Sequence, residues 1–327
     1  MRVLVTGATS LLGRALVIRL LEQGDEVTVF QRRPSGLGVA EHLGDIADRP
    51  AVATAMAGTE AVVHLAGRAM AVAIGTWAQF KETNVRGTQH AVDVAREAGV
   101  GRFVHVSSPS VANDGESLVG VPAGPADPDL ARGYYAKSKA QAELIALAAN
   151  SPDMSVVAIR PHLIWGPGDT QLVGRIVSRA RVGRLVIVGS RTSLIDTTYI
   201  DNAAEALVAA LDRAPLLGGR ALVVTNGQPR PVRELMNRIV MAAGLEPPRV
   251  KVPYRLARTG GLVVERIWEQ QRRQDDPPMT SFVAEHLSTA HWFDQRETRR
   301  ALGWEPAVSL EEGFRRLLAW FEAGGAG

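Results

Sequence analysis

Two residues four positions apart, Tyr135 and Lys139, have the side chains needed to move a proton during catalysis. In a helix, residues at this spacing lie on the same face. A tyrosine has an ordinary pKa of about 10, and a neighbouring lysine charge lowers that pKa by favouring the phenolate. The chain contains four tyrosines, which makes a chance match unusual. The pair predicts a tyrosine acid/base, with an aromatic–cation pair on a helix surface as the alternative.

A reaction at a carbonyl or alcohol carbon also needs a group that hydrogen-bonds the substrate oxygen. The predicted strand Phe103–Ser107 ends at two consecutive serines, and open α/β sheets bind ligands at the carboxyl ends of their strands. Ser108 is the residue just past the strand, so it is the predicted partner of that oxygen. Ser108, Tyr135 and Lys139 are therefore the predicted catalytic residues.

A glycine-rich turn near the N-terminus joins a short strand to a helix-patterned stretch. The backbone N–H groups and the dipole at the start of a helix attract anions. Gly7 permits the tight turn, Gly13 lets the helix pack closely, and Ser10 stands where a middle glycine is usual and has a hydroxyl that can donate to a phosphate. The turn predicts a dinucleotide site, with an ordinary strand–helix turn as the alternative. The predicted pyrophosphate contacts are Gly7, Thr9, Ser10, Leu11, Leu12 and Gly13.

The residues after the second predicted strand bear on the choice between NAD and NADP. An acidic residue that binds the ribose hydroxyls is usual there in NAD enzymes. This chain has Gln31, Arg32 and Arg33, and two guanidiniums without a carboxylate favour the 2′-phosphate of NADP. Solvated loop arginines are the alternative. Asp45 and Ile46 are predicted beside the adenine. With the Tyr135/Lys139 pair, this dinucleotide site predicts a nicotinamide-dependent oxidoreductase.

Short β-branched runs alternate with helical patterns in the first half of the chain, which is typical of βαβ units around a parallel sheet. The predicted strands are Arg2–Val5, Glu26–Phe30, Ala61–Leu65, Phe103–Ser107 and Val156–Arg160. The predicted helices are Leu12–Gln23, Thr76–Ala98 and Tyr134–Ala149, with a lid-like loop over Asn113–Arg132. Further along, helices are predicted at Gln171–Val182 and Asn202–Arg213, a strand at Leu185–Val188, and a late return to the sheet at Ala221–Thr225.

The fold class is therefore α/β, with a Rossmann-like doubly wound parallel sheet and a smaller, discontinuous, helix-rich substrate domain. Residues 1–160 plus about 196–225 are expected to form the dinucleotide-binding domain. The substrate domain is expected to comprise about 161–195 plus 226–327.

The composition excludes several classes of protein. A net charge of +3 without a block of like charge argues against nucleic-acid binding. The chain has no cysteine, so it has no disulfide, thiolate zinc site or cysteine nucleophile, which suits the cytoplasm, and no metal site is predicted. No apolar run is long enough to span a membrane, because charged residues such as Arg14 and Arg19 interrupt even the first helix.

Taken in order, these motifs resemble the extended short-chain dehydrogenase/reductase superfamily over nearly the whole chain. The motifs are Thr6–Gly13, Val63–Gly67, Asn84–Thr88, Ser107-Ser108, Tyr135 with Lys139, Arg160–Asp169 and Tyr199–Asn202. The resemblance implies Ser108, Tyr135 and Lys139 as the catalytic set. It also implies a homodimer formed through the two long predicted helices, Thr76–Ala98 and Tyr134–Ala149. The cofactor-lining residues it implies are Leu65, Ala66, Gly67 and Asn84, with Pro161 and Leu163 near the nicotinamide amide.

Within the superfamily, the chain is most similar to the 3β-hydroxysteroid dehydrogenase/isomerase branch, which includes sterol dehydrogenases and bacterial reductases of 2-alkyl-3-keto acids. Nucleotide-sugar epimerases usually carry an Arg-Asp pair where this chain has Ile195-Asp196, so a clamp for a diphosphate is missing. The expected activity is NADP-preferring, or NAD-dependent, interconversion of a hydrophobic ketone and a secondary alcohol. A nucleotide-sugar epimerase/dehydratase and a non-catalytic NADP-binding regulatory protein are the alternatives.

Two further features keep two interpretations each. The stretch Tyr254–Trp268 mixes apolar residues with arginines, which fits peripheral contact with a membrane surface or a helix packed on its own core. His162 lies either at the active site or in the core.

Overall fold

The computed structural model describes residues 1–68, 75–113, 115–189, 193–271, 284 and 288–325. Its strands are β1 Arg2–Thr6, β2 Glu26–Gln31, β3 Ala40–Leu43, β4 Ala61–His64, β5 Arg102–Val106, β6 Leu118–Val121, β7 Ser155–Pro161, β8 Ile164–Trp165, β9 Ile187–Val188, β10 Leu194–Ile195, β11 Thr198–Tyr199, β12 Ala221–Val224, β13 Arg230–Pro231, β14 Lys251–Val252 and β15 His291–Phe293. Its α-helices are α1 Leu11–Glu22, α2 Arg49–Met56, α3 Trp77–Phe80, α4 Gly87–Glu97, α5 Gly133–Ala148, α6 Val173–Arg181, α7 Ile200–Leu217, α8 Val232–Ala242, α9 Tyr254–Gln270, α10 Arg296–Leu302 and α11 Leu310–Glu322.

The central sheet has seven strands in the order β12-β7-β5-β4-β1-β2-β3, and every neighbouring pair is parallel. The chain builds outward from β1 to β3 on one side and from β4 to β12 on the other. The strand order therefore reverses between β1 and β4, where doubly wound sheets bind their ligands. The predicted Rossmann-like α/β fold is confirmed.

The central strands are buried on both faces, which explains their apolar sequences. On one face, Leu16 and Leu207 from α1 and α7 pack with Val5. On the other face, Val92 of α4 packs with Phe103. The sheet therefore lies between two apolar layers.

The strands and helices predicted in the first half are present with ends shifted by one or two residues, except that the stretch predicted as one helix at Thr76–Ala98 is divided. It consists of α3, a π-helical segment at Lys81–Arg86 and α4. Ala221–Thr225 does return to the sheet, as β12 beside β7. Three elements of this half were not predicted: β3, α2 and β6. Strand β3 has the sequence Ala-Glu-His-Leu and lacks β-branched residues, and β6 lies inside the stretch predicted as a loop at Asn113–Arg132.

The strands outside the central sheet form smaller sheets. One has the order β13-β10-β15-β6, and two others pair β11 with β8 and β14 with β9. The predicted domain limits stay predictions. Helix α9 covers the Tyr254–Trp268 stretch and exposes Leu256 and Val263, so the predicted membrane contact also stays open. Among the helices of the described ranges, none is long and apolar enough to cross a bilayer.

A buried amide network joins the C-terminal part of the chain to the central sheet. The Asn202 Nδ2 atom donates to the carbonyls of Val308 (2.7 Å) and the Asn226 side chain (3.0 Å), and its Oδ1 atom accepts from the Val308 N–H (2.9 Å). Asn202 is fully buried. Because each group in this network satisfies another away from water, removal of one amide leaves unpaired polar atoms in the core.

We expect Asn202→Ala to lower the free energy of unfolding by about 1–3 kcal/mol, because it leaves the buried Val308 N–H without its acceptor, while the Val308 carbonyl keeps its hydrogen bond from Asn226 Nδ2. Urea unfolding would measure the loss. The matched control is Asp201→Ala, which removes a partly exposed ion pair with Arg316 and should cost less than about 1 kcal/mol. Equal losses in the two variants would contradict this account of the network.

Candidate active site

The predicted catalytic serine and tyrosine are brought together at the carboxyl end of β5. Tyr135 lies in the first turn of α5, and its half-buried phenol shares a hydrogen bond with Ser108. Ser108 begins a 3₁₀ turn at Pro109–Ala112, where its Oγ accepts from the N–H (3.3 Å) and the hydroxyl (3.0 Å) of Ser110. Ser110 was not predicted, although a serine two residues after another is a recognisable turn pattern.

Lys139 is the buried cation of the site. Its Nζ atom donates to the Val106 carbonyl (2.6 Å) at the end of β5. Burial lowers the pKa of Lys139 to about 8, and the negative charge of Glu143 opposes that change. Tyr135, Lys139 and Glu143 are spaced by four residues along α5, so they share one face of the helix.

The pKa of Tyr135 departs from the expectation drawn from the sequence. The lysine was expected to lower this pKa, but burial of the phenol raises it, while the hydrogen bond with Ser108 acts in the opposite direction. Desolvation dominates because it disfavours the charged phenolate, and the Lys139 ammonium is directed at the Val106 carbonyl. Tyr135 is therefore a neutral phenol, the form that can give up a proton.

Asn84, in the π-helical segment, ties the site to the end of β4. Its Nδ2 atom donates to Ser138 Oγ (2.9 Å), and its Oδ1 atom accepts from the Arg68 N–H (2.7 Å). A Cβ added to Gly67 would lie 3.1 Å from Asn84 Oδ1, so the chain passes closely there. Asn84 was predicted to line the cofactor. In the structure its amide is buried and holds α5 in place through the hydrogen bond to Ser138.

The glycine-rich turn lies at the point where the strand order reverses. Gly7 has a φ of 77°, and a Cβ there would be 2.9 Å from the Ala66 nitrogen, so only glycine fits. Ser10 caps α1 by accepting from the Gly13 N–H (3.0 Å), and its hydroxyl donates to the Gly7 carbonyl (3.0 Å) rather than outward. The turn brings β1 against Leu65 and Ala66 of the chain after β4.

The remaining residues predicted to contact the pyrophosphate and the adenine divide between surface and core. Thr9 is exposed, Leu11 is half-buried and Leu12 packs in the core, so Leu12 offers only its backbone to a ligand. Asp45 is exposed and caps a turn by accepting from the Ala47 N–H (3.0 Å). Ile46 is buried and packs closely on α4: a Cβ added to Gly87 would lie only 2.6 Å from the Ile46 side chain.

Both arginines after β2 are exposed, and neither has an ion-pair partner within the described part of the chain. They are Arg32 and Arg33. Gln31 is buried and donates from Nε2 to Glu41 (2.5 Å), which also accepts from the Ser35 N–H (2.7 Å). The first carboxylate that follows them in sequence, Glu41, is thus already engaged, which leaves two free guanidiniums beside the predicted ribose site.

The strand end predicted beside the nicotinamide has an unusual backbone. Leu163 has a φ of 41°, a conformation that costs a leucine about 1–2 kcal/mol. Pro161 and His162 are buried, and His162 Nδ1 donates to the Asp196 carbonyl (2.7 Å). His162 therefore has a partner in the core, while strained residues such as Leu163 cluster at functional sites.

Two unpredicted histidines of the central sheet, His64 of β4 and His105 of β5, lie close enough to Lys139 to feel its charge. His64 is bonded to the hydroxyls of Thr6 (2.8 Å) and Thr88 (3.1 Å), and its ring is 5.7 Å from that of His105. Burial lowers the pKa of His64 to about 3 and that of His105 well below its usual value. Both rings are neutral, so they add no positive charge beside the lysine.

Residue 195, where nucleotide-sugar epimerases usually carry an arginine, is an isoleucine with an apolar environment in the structure. Ile195 is buried in the core, in register with His291 of β15. Asp196 is buried, accepts from the Thr225 hydroxyl (2.7 Å), and has its pKa raised by burial. The geometry offers no guanidinium at residue 195 for a nucleotide diphosphate.

Known proteins are similar to this chain over nearly its whole length. The model of the NAD dependent epimerase/dehydratase family matches residues 3–224. The chain is 42% identical over 331 residues, 98% of its own length and 99% of the relative's, to a 2-alkyl-3-oxoalkanoate reductase of Stenotrophomonas maltophilia. It is 31% identical to a 3-beta-hydroxysteroid dehydrogenase of Mycolicibacterium neoaurum, with 98% and 91% of the two chains covered.

The fold also matches solved structures. A double mutant of the dTDP-glucose 4,6-dehydratase DesIV from Streptomyces venezuelae, with NAD bound, aligns at a TM-score of 0.76 and 26% identity over 98% of this chain and 97% of that one. The predicted resemblance and the predicted oxidoreductase class are confirmed by these relatives. The chain belongs to the NAD dependent epimerase/dehydratase family.

Proposed function

We propose that this protein is an NADP-preferring reductase of a hydrophobic ketone, with Ser108, Tyr135 and Lys139 as its catalytic residues. One observation carries the proposal: a neutral tyrosine phenol is hydrogen-bonded to a serine at the carboxyl end of β5, with a buried lysine one helical turn further on. A proton donor and a second donor to the same oxygen are the groups that ketone reduction requires.

The chain around the glycine-rich turn fits a dinucleotide. The backbone from Thr9 to Gly13 would hold the pyrophosphate at the start of α1, and Leu65 to Gly67 would line the ribose side. Pro161 and Leu163 would contact the nicotinamide amide. When bound, the nicotinamide supplies the hydride for the carbonyl carbon.

The protein's own residues bind the substrate oxygen and transfer a proton to it. Ser108 donates a hydrogen bond to the ketone oxygen, which polarises the carbonyl. Tyr135 gives its phenolic proton to that oxygen as negative charge develops there, so the alcohol leaves neutral and a phenolate remains. The Lys139 ammonium stabilises this phenolate until water returns the proton.

The class of substrate rests on what the site lacks and on its relatives. Ile195 stands where a diphosphate-binding arginine is expected in nucleotide-sugar enzymes. The relatives named above act, by their names, on a 2-alkyl-3-oxoalkanoate and a 3-hydroxysteroid. The apolar residue at position 195 and the names of these relatives both support a lipid-like ketone as the substrate. Stabilisation by a UDP-sugar together with tightly held NAD would instead favour a nucleotide-sugar epimerase.

We also propose that the protein is a cytoplasmic homodimer whose interface includes α4 and α5. Helix α5 carries two large side chains, Tyr134 and Leu144, that are 52% and 45% exposed. Apolar side chains on the outside of a long helix support contact with a second copy.

Replacement of the catalytic hydroxyl tests the proposal directly. We expect Tyr135→Phe to lower kcat for ketone reduction by about 10²–10⁴-fold, because it removes the proton donor. NADPH binding, followed by quenching of tryptophan fluorescence, should persist. Tyr134→Phe, at the exposed neighbouring position, is the matched control and should keep full activity. Normal turnover by Tyr135→Phe would rule out this assignment.

The pKa of Lys139 makes a prediction about stability. Its value of about 8 in the folded chain lies below the ordinary value of about 10.4. Between these values the unfolded chain binds more protons, so the free energy of unfolding should rise with pH, by on the order of 3 kcal/mol in all. Urea unfolding at several pH values should show this rise in the wild type and lose it in Lys139→Met. Identical pH dependence in both proteins would contradict the lowered pKa.

The exposed arginines predict the preference for NADP. We expect Arg32→Ser with Arg33→Ser to raise the KM for NADPH about 10–100-fold and to leave the KM for NADH nearly unchanged, because charged hydrogen bonds to the 2′-phosphate are lost. Steady-state kinetics with both cofactors would measure this. Arg249→Ser, at an arginine that is 85% exposed, controls for the loss of surface charge. A parallel rise for NADH and NADPH would exclude a role in 2′-phosphate recognition.

A further inference from the structure

An apolar cavity of about 220 Å³ lies beside the catalytic serine. Five separate parts of the chain form its walls: the 3₁₀ turn, β6 with the loop after it, the end of β7, the end of β12, and β15. The lining residues are Pro109, Ala112, Leu118, Val121, Pro122, Ala123, Gly124, Arg160, Val223 and Phe293.

The cavity adjoins both halves of the predicted reaction centre. Pro109, in its wall, directly follows Ser108. On the other side, the Phe293 ring stands edge-on to the ring of His162 at 5.3 Å, and His162 precedes the strained Leu163. A substituent on the reacting carbon of a ketone, or on the carbon next to it, therefore has the cavity within reach.

The lining provides no anchor for a polar ligand. Arg160 is its charged member, and both Arg160 and Glu143 are 1% exposed. The Arg160 Nε and Nη2 atoms donate to Glu143 (2.9 and 2.5 Å), and Nη1 donates to the Gly124 carbonyl (2.7 Å). The positive charge is already matched, and each nitrogen already donates a hydrogen bond.

We propose that this cavity binds an alkyl branch of the substrate, of roughly eight or nine carbons, and so sets the chain-length specificity of the enzyme. The inference rests on the proposed ketone reduction and adds its substrate class. An apolar cavity of about 150 Å³ holds a benzene molecule, so about 220 Å³ holds roughly half as many carbons again. A steroid nucleus, with about twice the carbons the cavity holds, does not fit inside it.

Adjacent residues of β6 supply a matched test. Leu118 lines the cavity, whereas Val119 is 54% exposed. We expect kcat/KM on 2-alkyl-3-oxo acids to rise about fourfold per added methylene and to level off near eight or nine carbons. Leu118→Trp should abolish the rise and keep the rate on a 2-methyl substrate, and Val119→Trp should behave as wild type. Ala112→Leu, on the opposite wall, should shift the optimum to shorter branches if Leu118→Trp does not fold.

A binding measurement separates this inference from the proposed function. Binding of a 1-alkanol can be measured as a rise in Tm, which does not depend on turnover. We expect 1-octanol to raise the Tm of the wild type and of Val119→Trp but not of Leu118→Trp or Ala112→Leu. Ketone reduction that is indifferent to branch length, with an unchanged response to 1-octanol in the cavity variants, would overturn the inference and leave the proposed function standing. Selective loss of the 1-octanol response without any ketone turnover would support the alkyl site and overturn the proposed function.

Discussion

The arrangement of the site depends on one ion pair that water does not reach, between Glu143 on α5 and Arg160 on β7. Two charges out of water are tolerated only when they are paired and hydrogen-bonded, and loss of one partner typically costs about 3–5 kcal/mol. The pair therefore fixes the rotation and height of α5 against the central sheet. Tyr135 and Lys139 lie on the same helix face, so their positions over β5 follow from it.

The same ion pair also connects to the strand end predicted beside the nicotinamide and to the wall of the apolar cavity. Arg160 is followed by Pro161 and leads to Leu163, whose positive φ persists only if the surrounding chain holds it. The third guanidinium nitrogen of Arg160, Nη1, donates to the carbonyl of Gly124, which belongs to the wall of the apolar cavity. A single buried guanidinium thus connects helix α5, the strained strand end and the cavity wall.

Local patterns were enough to predict the features that depend on short stretches of chain. Gly7 and Gly13, and the four-residue spacing of Tyr135 and Lys139, act through neighbouring backbone, so the sequence carries them directly. The direction of the Tyr135 pKa shift could not be predicted, because burial is a property of the folded chain. The π-helical segment, the short strand β3 and a cavity built from five segments likewise depend on tertiary contacts that no local pattern encodes.

The proposed catalytic residues and most of the strand residues that line the cavity are associated with different sheets. The predicted catalytic residues lie at the ends of central-sheet strands or on α5 beside them, whereas Leu118, Val121 and Phe293 belong to β6 and β15 of the smaller sheet. A change of side-chain volume on the smaller sheet alters the cavity without unpacking the two apolar layers around the central sheet. Arg160 and Val223 are the central-sheet residues in the lining, and Arg160 also anchors α5 through its ion pair with Glu143. A chain built this way can change the ketone it accepts while its proton chemistry stays fixed.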